Sequence, residues 1–172
     1  MTPLAGGYQL RPVDRGDPDA PGVAALLQVY RQCEDFLKLG PQAHASPEMV
    51  LADLEASQVA GSRYCGIYAC ISGELIGVVD YLPAGFEGNP QHAFLELLMI
   101  ARPFRGRGLG KQIVADLEAE IRKDPRVSAI RLGVQVNNPG ALRFWQHCGY
   151  QIIRPAELQP DQTIAFLMEK QF

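Results

Sequence analysis

A chain of 172 residues, 47% hydrophobic and 20% charged, is sized for one α/β domain with a real core and leaves no room for a second, so a single domain over 1–172 is expected. A formal net charge of -3 argues against a general nucleic-acid binder, and no apolar run approaches the ~20 residues that a membrane span needs. The opening Met1-Thr-Pro-Leu-Ala-Gly-Gly lacks the charged and apolar regions of a signal peptide, which makes a cytoplasmic location the expectation.

In chain order, Tyr8 to Pro12 alternates and stops at proline, predicting a short edge strand, and Asp14 to Gly22 reads as loop. From Pro21, the spacing Val23, Leu26, Leu27, Tyr30, Cys33, Leu37 predicts one amphipathic helix ending near Gly40-Pro41. Ser46-Pro47-Glu48 carries the cap, first-turn proline and first-turn carboxylate of a second helix, running to about Ala60. The loop between them, Leu39 to Ala45, could wall a substrate site. Tyr64–Ile71 and Glu74–Leu82 read as strands joined by a hairpin at Ser72-Gly73.

Phe94 to Ala101 is an apolar run broken only by Glu96, a buried strand. It leads into the basic, glycine-dense turn Arg105-Gly106-Arg107-Gly108-Leu109-Gly110-Lys111 and then the helical pattern Ile113, Val114, Leu117, Ile121. Strand, bare turn and helix make an anion-binding layout. Glycines at 106, 108 and 110 allow positive φ and close approach, the first helical N–H groups have no partner in the helix, and Arg105, Arg107 and Lys111 add charge. A Gly-x-x-x-x-Gly-Lys-Ser/Thr phosphate loop fails, since Arg105 stands where its first glycine belongs and Gln112 where its hydroxyl belongs. A dinucleotide fingerprint fails because its third glycine would fall on Lys111.

Asp124-Pro125 ends that helix, and Ala129–Val136 reads as a further strand. Asn138 and Pro139 then open a short helix that Gly149 terminates. Tyr150–Ile153, a proline-bounded loop and a last strand at Thr163–Lys170 close the chain. Cys33, Cys65, Cys70 and Cys148 form no Cys-x-x-Cys pair and read as reduced, packed thiols. His44, His92 and His147 are too scattered for a metal site.

The spacing Arg-x-x-Gly-x-Gly, from Arg105 through Gly108 to Gly110 with a strand before it, closely resembles the acetyl-CoA-binding motif of the GCN5-related N-acetyltransferases (GNAT). A second block is similar to that family's Asn-x-x-Ala-x-x-x-Tyr-x-x-x-Gly-Phe: Asn138, Ala141, Trp145, Gly149 and Tyr150 stand at its positions. The resemblance covers about residues 8–170. It implies an α/β (α+β) domain whose central mixed sheet, flanked by helices, is splayed between the strands at about 94–101 and 129–136.

The resemblance further implies transfer of an acetyl group from acetyl-CoA, as co-substrate and without a metal, to a primary amine of a small molecule or a protein, by direct attack in a ternary complex. No nucleic-acid or membrane partner is expected, and either a monomer or a homodimer. The family's carbonyl-polarising backbone maps onto Leu98, Met99 and Ile100. Its pyrophosphate turn maps onto Gly106, Arg107, Gly108, Leu109, Gly110 and Lys111, with Arg105 pairing with phosphate or bracing the turn. Asn138 matches a residue that contacts the cofactor arm and can cap its helix at the same time. Glu96 is the candidate general base; a carboxylate in an apolar strand is costly unless it has a task. It could instead bind the substrate's charge or pair with an arginine.

Trp145 departs from the family's tyrosine; an indole N–H is no usable acid, so a cofactor-packing role is expected. Gly133 stands where some protein-terminus acetyltransferases of the family carry glutamate, which speaks against that branch. Glu34, Asp35, Asp80 and Glu87 could favour a cationic acceptor or be ordinary surface. The alternative reading is an acyl-CoA-binding sensor or scaffold module without catalysis, which Trp145 admits and Glu96 opposes.

Overall fold

The structure is a computed structural model that describes residues 7–14 and 20–172. The start of the N-terminal stretch and most of the loop expected at Asp14–Gly22 lie outside the described residues.

Strand β1 (Tyr8–Pro12) is followed by helices α1 (Val23–Arg31), α2 (Glu34–Leu37) and α3 (Pro47–Ala60). The hairpin β2 (Arg63–Ala69) and β3 (Leu75–Leu82) then leads to β4 (His92–Ile100), α4 (Leu109–Ile121), β5 (Ala129–Gln135), α5 (Pro139–His147), β6 (Gln151–Leu158) and β7 (Ile164–Gln171). The strands form one open mixed sheet in the order β1-β2-β3-β4-β5-β7-β6, in which only β4 and β5 run parallel. Among the described residues no helix is long and apolar enough to cross a membrane.

Two apolar clusters sandwich the sheet. On one face, α4 buries Leu109, Ile113, Val114, Leu117 and Ile121, and α5 buries Trp145, against Ile130, Leu132, Val134 and Met168. Each fully buried aliphatic side chain of this kind contributes about 1.5–3 kcal/mol. On the other face Leu26, Leu27, Val29 and Tyr30 of α1 and Val50 and Leu54 of α3 pack on Tyr64, Val78 and Met99. Helix α3 begins as its sequence dictates: the Ser46 hydroxyl accepts the Met49 N–H at 3.1 Å and Pro47 takes the first position.

Three expectations are corrected. The single helix expected from Pro21 to Gly40 is broken at Gln32–Cys33, because Cys33 is fully buried and donates its thiol to the Ile100 carbonyl at 3.4 Å, while the Gln32 carbonyl accepts from Arg105. The proline-bounded loop after Ile153 is instead strand: β6 runs through Pro155, which an edge strand tolerates, with one register shift before it and one across it. Cys70 is exposed rather than packed; all four thiols are free.

The parallel pairing of β4 and β5 spans four positions, His92↔Ala129 through Leu95↔Leu132, and stops there, although β4 continues to Ile100 and β5 to Gln135. Beyond Leu95 the strands diverge. At the same point β4 carries a bulge: Tyr81 lies opposite Leu95 and Asp80 opposite Leu97, so Glu96 has no partner on β3. A bulge bends its strand and sharpens the local twist.

Candidate active site

The gap between the diverging strands is a cleft of about 550 Å³. Residues 95–100 of β4 form one wall and Leu132 to Gln135 of β5 the other. Asn138, Gly140, Ala141, Phe144 and Trp145 close one side, while Asp35, Phe36, Leu39 and Arg105 stand at the other.

The bulge changes which β4 residues face which way. Ala93 and Leu95 join the α4-side cluster, as alternation predicts. Leu98 and Ile100 also pack on that cluster, while Leu97 and Met99 join the α1/α3 side. One extra residue, Glu96, makes the exchange. Its side chain opens into the cleft and forms no ion pair among the described residues, which removes the alternative of a structural pair with an arginine. Burial, and secondarily the charge of Asp80, raises its pKa above the ordinary carboxylate value.

The three β4 amides divide. Ala101 gives its N–H to the Ile76 carbonyl of β3 at 2.8 Å. Strand amides alternate, so the Met99 N–H also faces β3, and those of Leu98 and Ile100 face the cleft. The Ile100 carbonyl confirms that direction, since it accepts from Arg105 Nε at 2.6 Å and from Cys33, neither of which lies on β3.

In the turn, Gly106 (φ +73°) and Gly108 (φ +77°) adopt the left-handed conformation. Helix α4 opens without a side-chain cap, and its first backbone bond is from the Gln112 N–H to the Gly108 carbonyl, leaving the amides before it free of helical partners. A Cβ at Gly108 would meet no protein atom within 4 Å, so the position opens onto free space. Arg107 and Lys111 are exposed and make no hydrogen bond or ion pair among the described residues. Leu109 sends its side chain into the core and offers only its backbone.

Two residues of the turn have packing or bracing tasks within the protein. Gly110 is helical, and a Cβ there would stand 3.3 Å from the Phe144 ring; its smallness lets α4 and α5 approach. Arg105 gives Nη1 to Asp35 at 2.5 Å, Nε to the Ile100 carbonyl and Nη2 to the Gln32 carbonyl at 3.4 Å. Of the two expectations for Arg105, its hydrogen bonds support bracing.

Asn138 Oδ1 accepts the Ala141 N–H at 3.0 Å as the cap of α5, while its side-chain amide donates to no protein group among the described residues. Trp145 is 9% exposed and meets Phe144 and Tyr150 edge-on, at ring separations of 4.9 and 5.3 Å. It packs one end of the cleft.

None of the four carboxylates considered for a cationic acceptor is free in the cleft. Asp35 lines it but holds Arg105. Asp80 is buried and accepts from the Ser57 hydroxyl at 2.8 Å. Glu34 accepts the Ala45 N–H at 2.9 Å, and Glu87 pairs with Arg154 and Arg131. Phe144, Gln135 and Phe36 line the site without having been singled out in the sequence; none carries a motif that would have marked it. Among the described residues no group of three or more His, Cys, Asp or Glu side chains could hold a metal ion.

A basic turn with two left-handed glycines thus stands at the root of a parted sheet, the arrangement of an anion-binding fold. The family model described as acetyltransferase (GNAT) family matches residues 23–150. The chain belongs to that family, and its co-substrate is acetyl-CoA. Solved structures agree on the fold. An acetyltransferase from Thermus thermophilus superposes with a TM-score of 0.76 at 23% identity, over 96% of this chain and 97% of that one. A Salmonella typhimurium acetyl transferase that modifies the N-terminal serine of ribosomal protein L7/L12 gives 0.75 at 14% identity, over 99% and 98%. Spermidine N-acetyltransferase from Vibrio cholerae, in complex with CoA and spermine, gives 0.65 at 16%, over 95% of each chain. No curated protein sequence matches the chain.

Proposed function

We propose that this protein transfers the acetyl group of acetyl-CoA to a primary amine by direct attack within the cleft, with Glu96 as general base. The observation that carries the reading is the conjunction at the bulge: an unpaired carboxylate with a raised pKa beside two β4 amides that face the gap. The residues fit the co-substrate, since the turn offers free amides, two left-handed glycines and the uncommitted Arg107 and Lys111.

When bound, acetyl-CoA supplies an electrophilic thioester carbonyl and a thiolate leaving group. The N–H groups of Leu98 and Ile100 are aimed to stabilise negative charge gathering on an oxygen in the gap. Glu96 takes the proton shed by the amine nitrogen as it forms its bond to carbon, directly or through one water. Arg107, Lys111 and the first α4 amides hold phosphate, and the Asn138 side-chain amide and the Trp145 ring line the path of the arm. No side chain beside Trp145 needs to serve as acid, because a thiol with a pKa near 8.5 leaves as thiolate without much help.

The amine class draws support from the neighbours, one of which acetylates spermidine and another a ribosomal protein terminus. Thiol release from acetyl-CoA, followed across a panel of polyamines, aminoglycosides and peptide N-termini, is expected with at least one of them. Tight CoA binding with no release from any amine would favour the sensor or scaffold reading instead. A second expectation concerns the cradle. Replacing Arg107 and Lys111 together by alanine should weaken CoA binding at least tenfold in calorimetry and flatten its salt dependence; each lost phosphate contact is charge-assisted. Unaltered affinity and salt slope would take both residues out of the site.

A further inference from the structure

The segment from Gln32 to Ala45, comprising α2 and the loop after it, crosses the cleft as a strap and is fastened at both ends. At the β4 end, Asp35 accepts from Arg105 Nη1 at 2.5 Å, Gln32 accepts from Nη2, and Arg102 stands 3.8 Å from the second Asp35 oxygen. At the β5 end, Asn137 Nδ2 donates to the Leu39 carbonyl at 3.1 Å. Glu34 ties the strap to itself through the Ala45 N–H. From one fastening to the other, Asp35, Phe36 and Leu39 line the same cleft as Glu96.

Each fastening is the immediate neighbour of a residue assigned to the co-substrate. Arg105 precedes Gly106 of the turn, and Asn137 precedes Asn138. The wall that an acceptor must touch is therefore hung from the two places that CoA would hold. We infer that Asp35 and Arg105 are positioning residues: their ion pair sets the strap against the CoA turn, so that CoA seated in the turn stiffens the acceptor wall. The inference rests on the assignment of the turn at 105–111 to CoA.

The chemistry favours a tie over a chance surface pair. Arg105 spends one planar guanidinium on three acceptors from two separate segments, and such a fork fixes orientation as a flexible ammonium cannot. The pair stays charged at neutral pH, since the Arg105 hydrogen bond lowers the Asp35 pKa. By linkage, whatever CoA does for the strap, an acceptor bound to the strap does for CoA.

Amide hydrogen exchange with and without CoA, alongside calorimetry, tests the inference. In the wild type, CoA is expected to slow exchange in the turn at 105–111 and, by at least about fivefold, in the strap at 32–45. In Asp35→Asn, CoA should still bind within about threefold of wild type while strap protection disappears, and Asp35→Glu should restore part of it. Asn137→Ala, at the far fastening, should lose protection only in 38–45. For an amine found to be acetylated, Asp35→Asn should raise its KM more than it changes the affinity for CoA. Protection of the turn without the strap, or full strap protection in Asp35→Asn, overturns the inference and leaves the function standing. Absence of CoA protection at 105–111 overturns both. Tighter CoA binding in Asp35→Asn would show Arg105 released to phosphate and also overturn it.

Discussion

Glu96→Gln is expected to lower kcat/KM for the amine by about 10²–10⁴ while leaving CoA affinity unchanged. A base works only when deprotonated, so wild-type kcat/KM falls on the acid side as Glu96 takes up its proton. Burial, then the charge of Asp80, places that fall above the ordinary carboxylate range. In the variant this limb disappears. The same substitution should raise Tm at neutral pH only slightly, because the side chain is exposed to solvent in the cleft and its charge is screened there. A carboxyl whose pKa is raised by folding stabilises the fold below its unfolded pKa, and this contribution vanishes as pH climbs through the folded pKa. Above that point the ionised side chain burdens the fold, and glutamine relieves it. A variant that keeps full activity at every pH removes Glu96 as the base; one that loses CoA binding shows a different role.

Gly108→Val should abolish measurable CoA binding, a loss of at least a hundredfold, in a protein that still folds. At φ +77° a β-branched residue costs about 1–2 kcal/mol, which lowers Tm by roughly 2–8 °C. A Cβ there meets no protein atom within 4 Å, so the obstruction falls on the ligand and not on the core. Gly108→Asn separates the two effects, because asparagine tolerates the left-handed region; it should lose CoA with a smaller drop in Tm. Unchanged affinity in the valine variant would refute the placement of phosphate at this turn.

Most elements were legible because they rest on local patterns. Ser46-Pro47 and Asn138-Pro139 cap their helices as read, and the stretch at 94–111 is strand, turn and helix. What escaped has causes far away in the chain. The break at Gln32–Cys33 answers to Ile100 and Arg105, about seventy residues on. Gly110 has a packing task that the turn pattern does not reveal, making room for Phe144. The four carboxylates considered for the acceptor already have partners that no spacing rule reveals. Strict alternation assigns Glu96 the face of Leu98 and Ile100, yet a period-two pattern cannot register one residue too many.

That surplus residue has a consequence for how the site can change. Without Glu96, the alternation that sets Ala93 and Leu95 on the α4 side carries on unbroken, with Leu97 and Met99 on the α1/α3 side and Leu98 and Ile100 on the α4 side, and the register with β3 runs on without a step. The sheet is complete without Glu96, the proposed base. The carboxylate is thus carried by the one position of β4 that neither core nor ladder constrains. Substitutions there can retune or silence the chemistry while the fold stays indifferent. Loss of the residue altogether would straighten β4 where it leaves β5, and take away the opening along with the base.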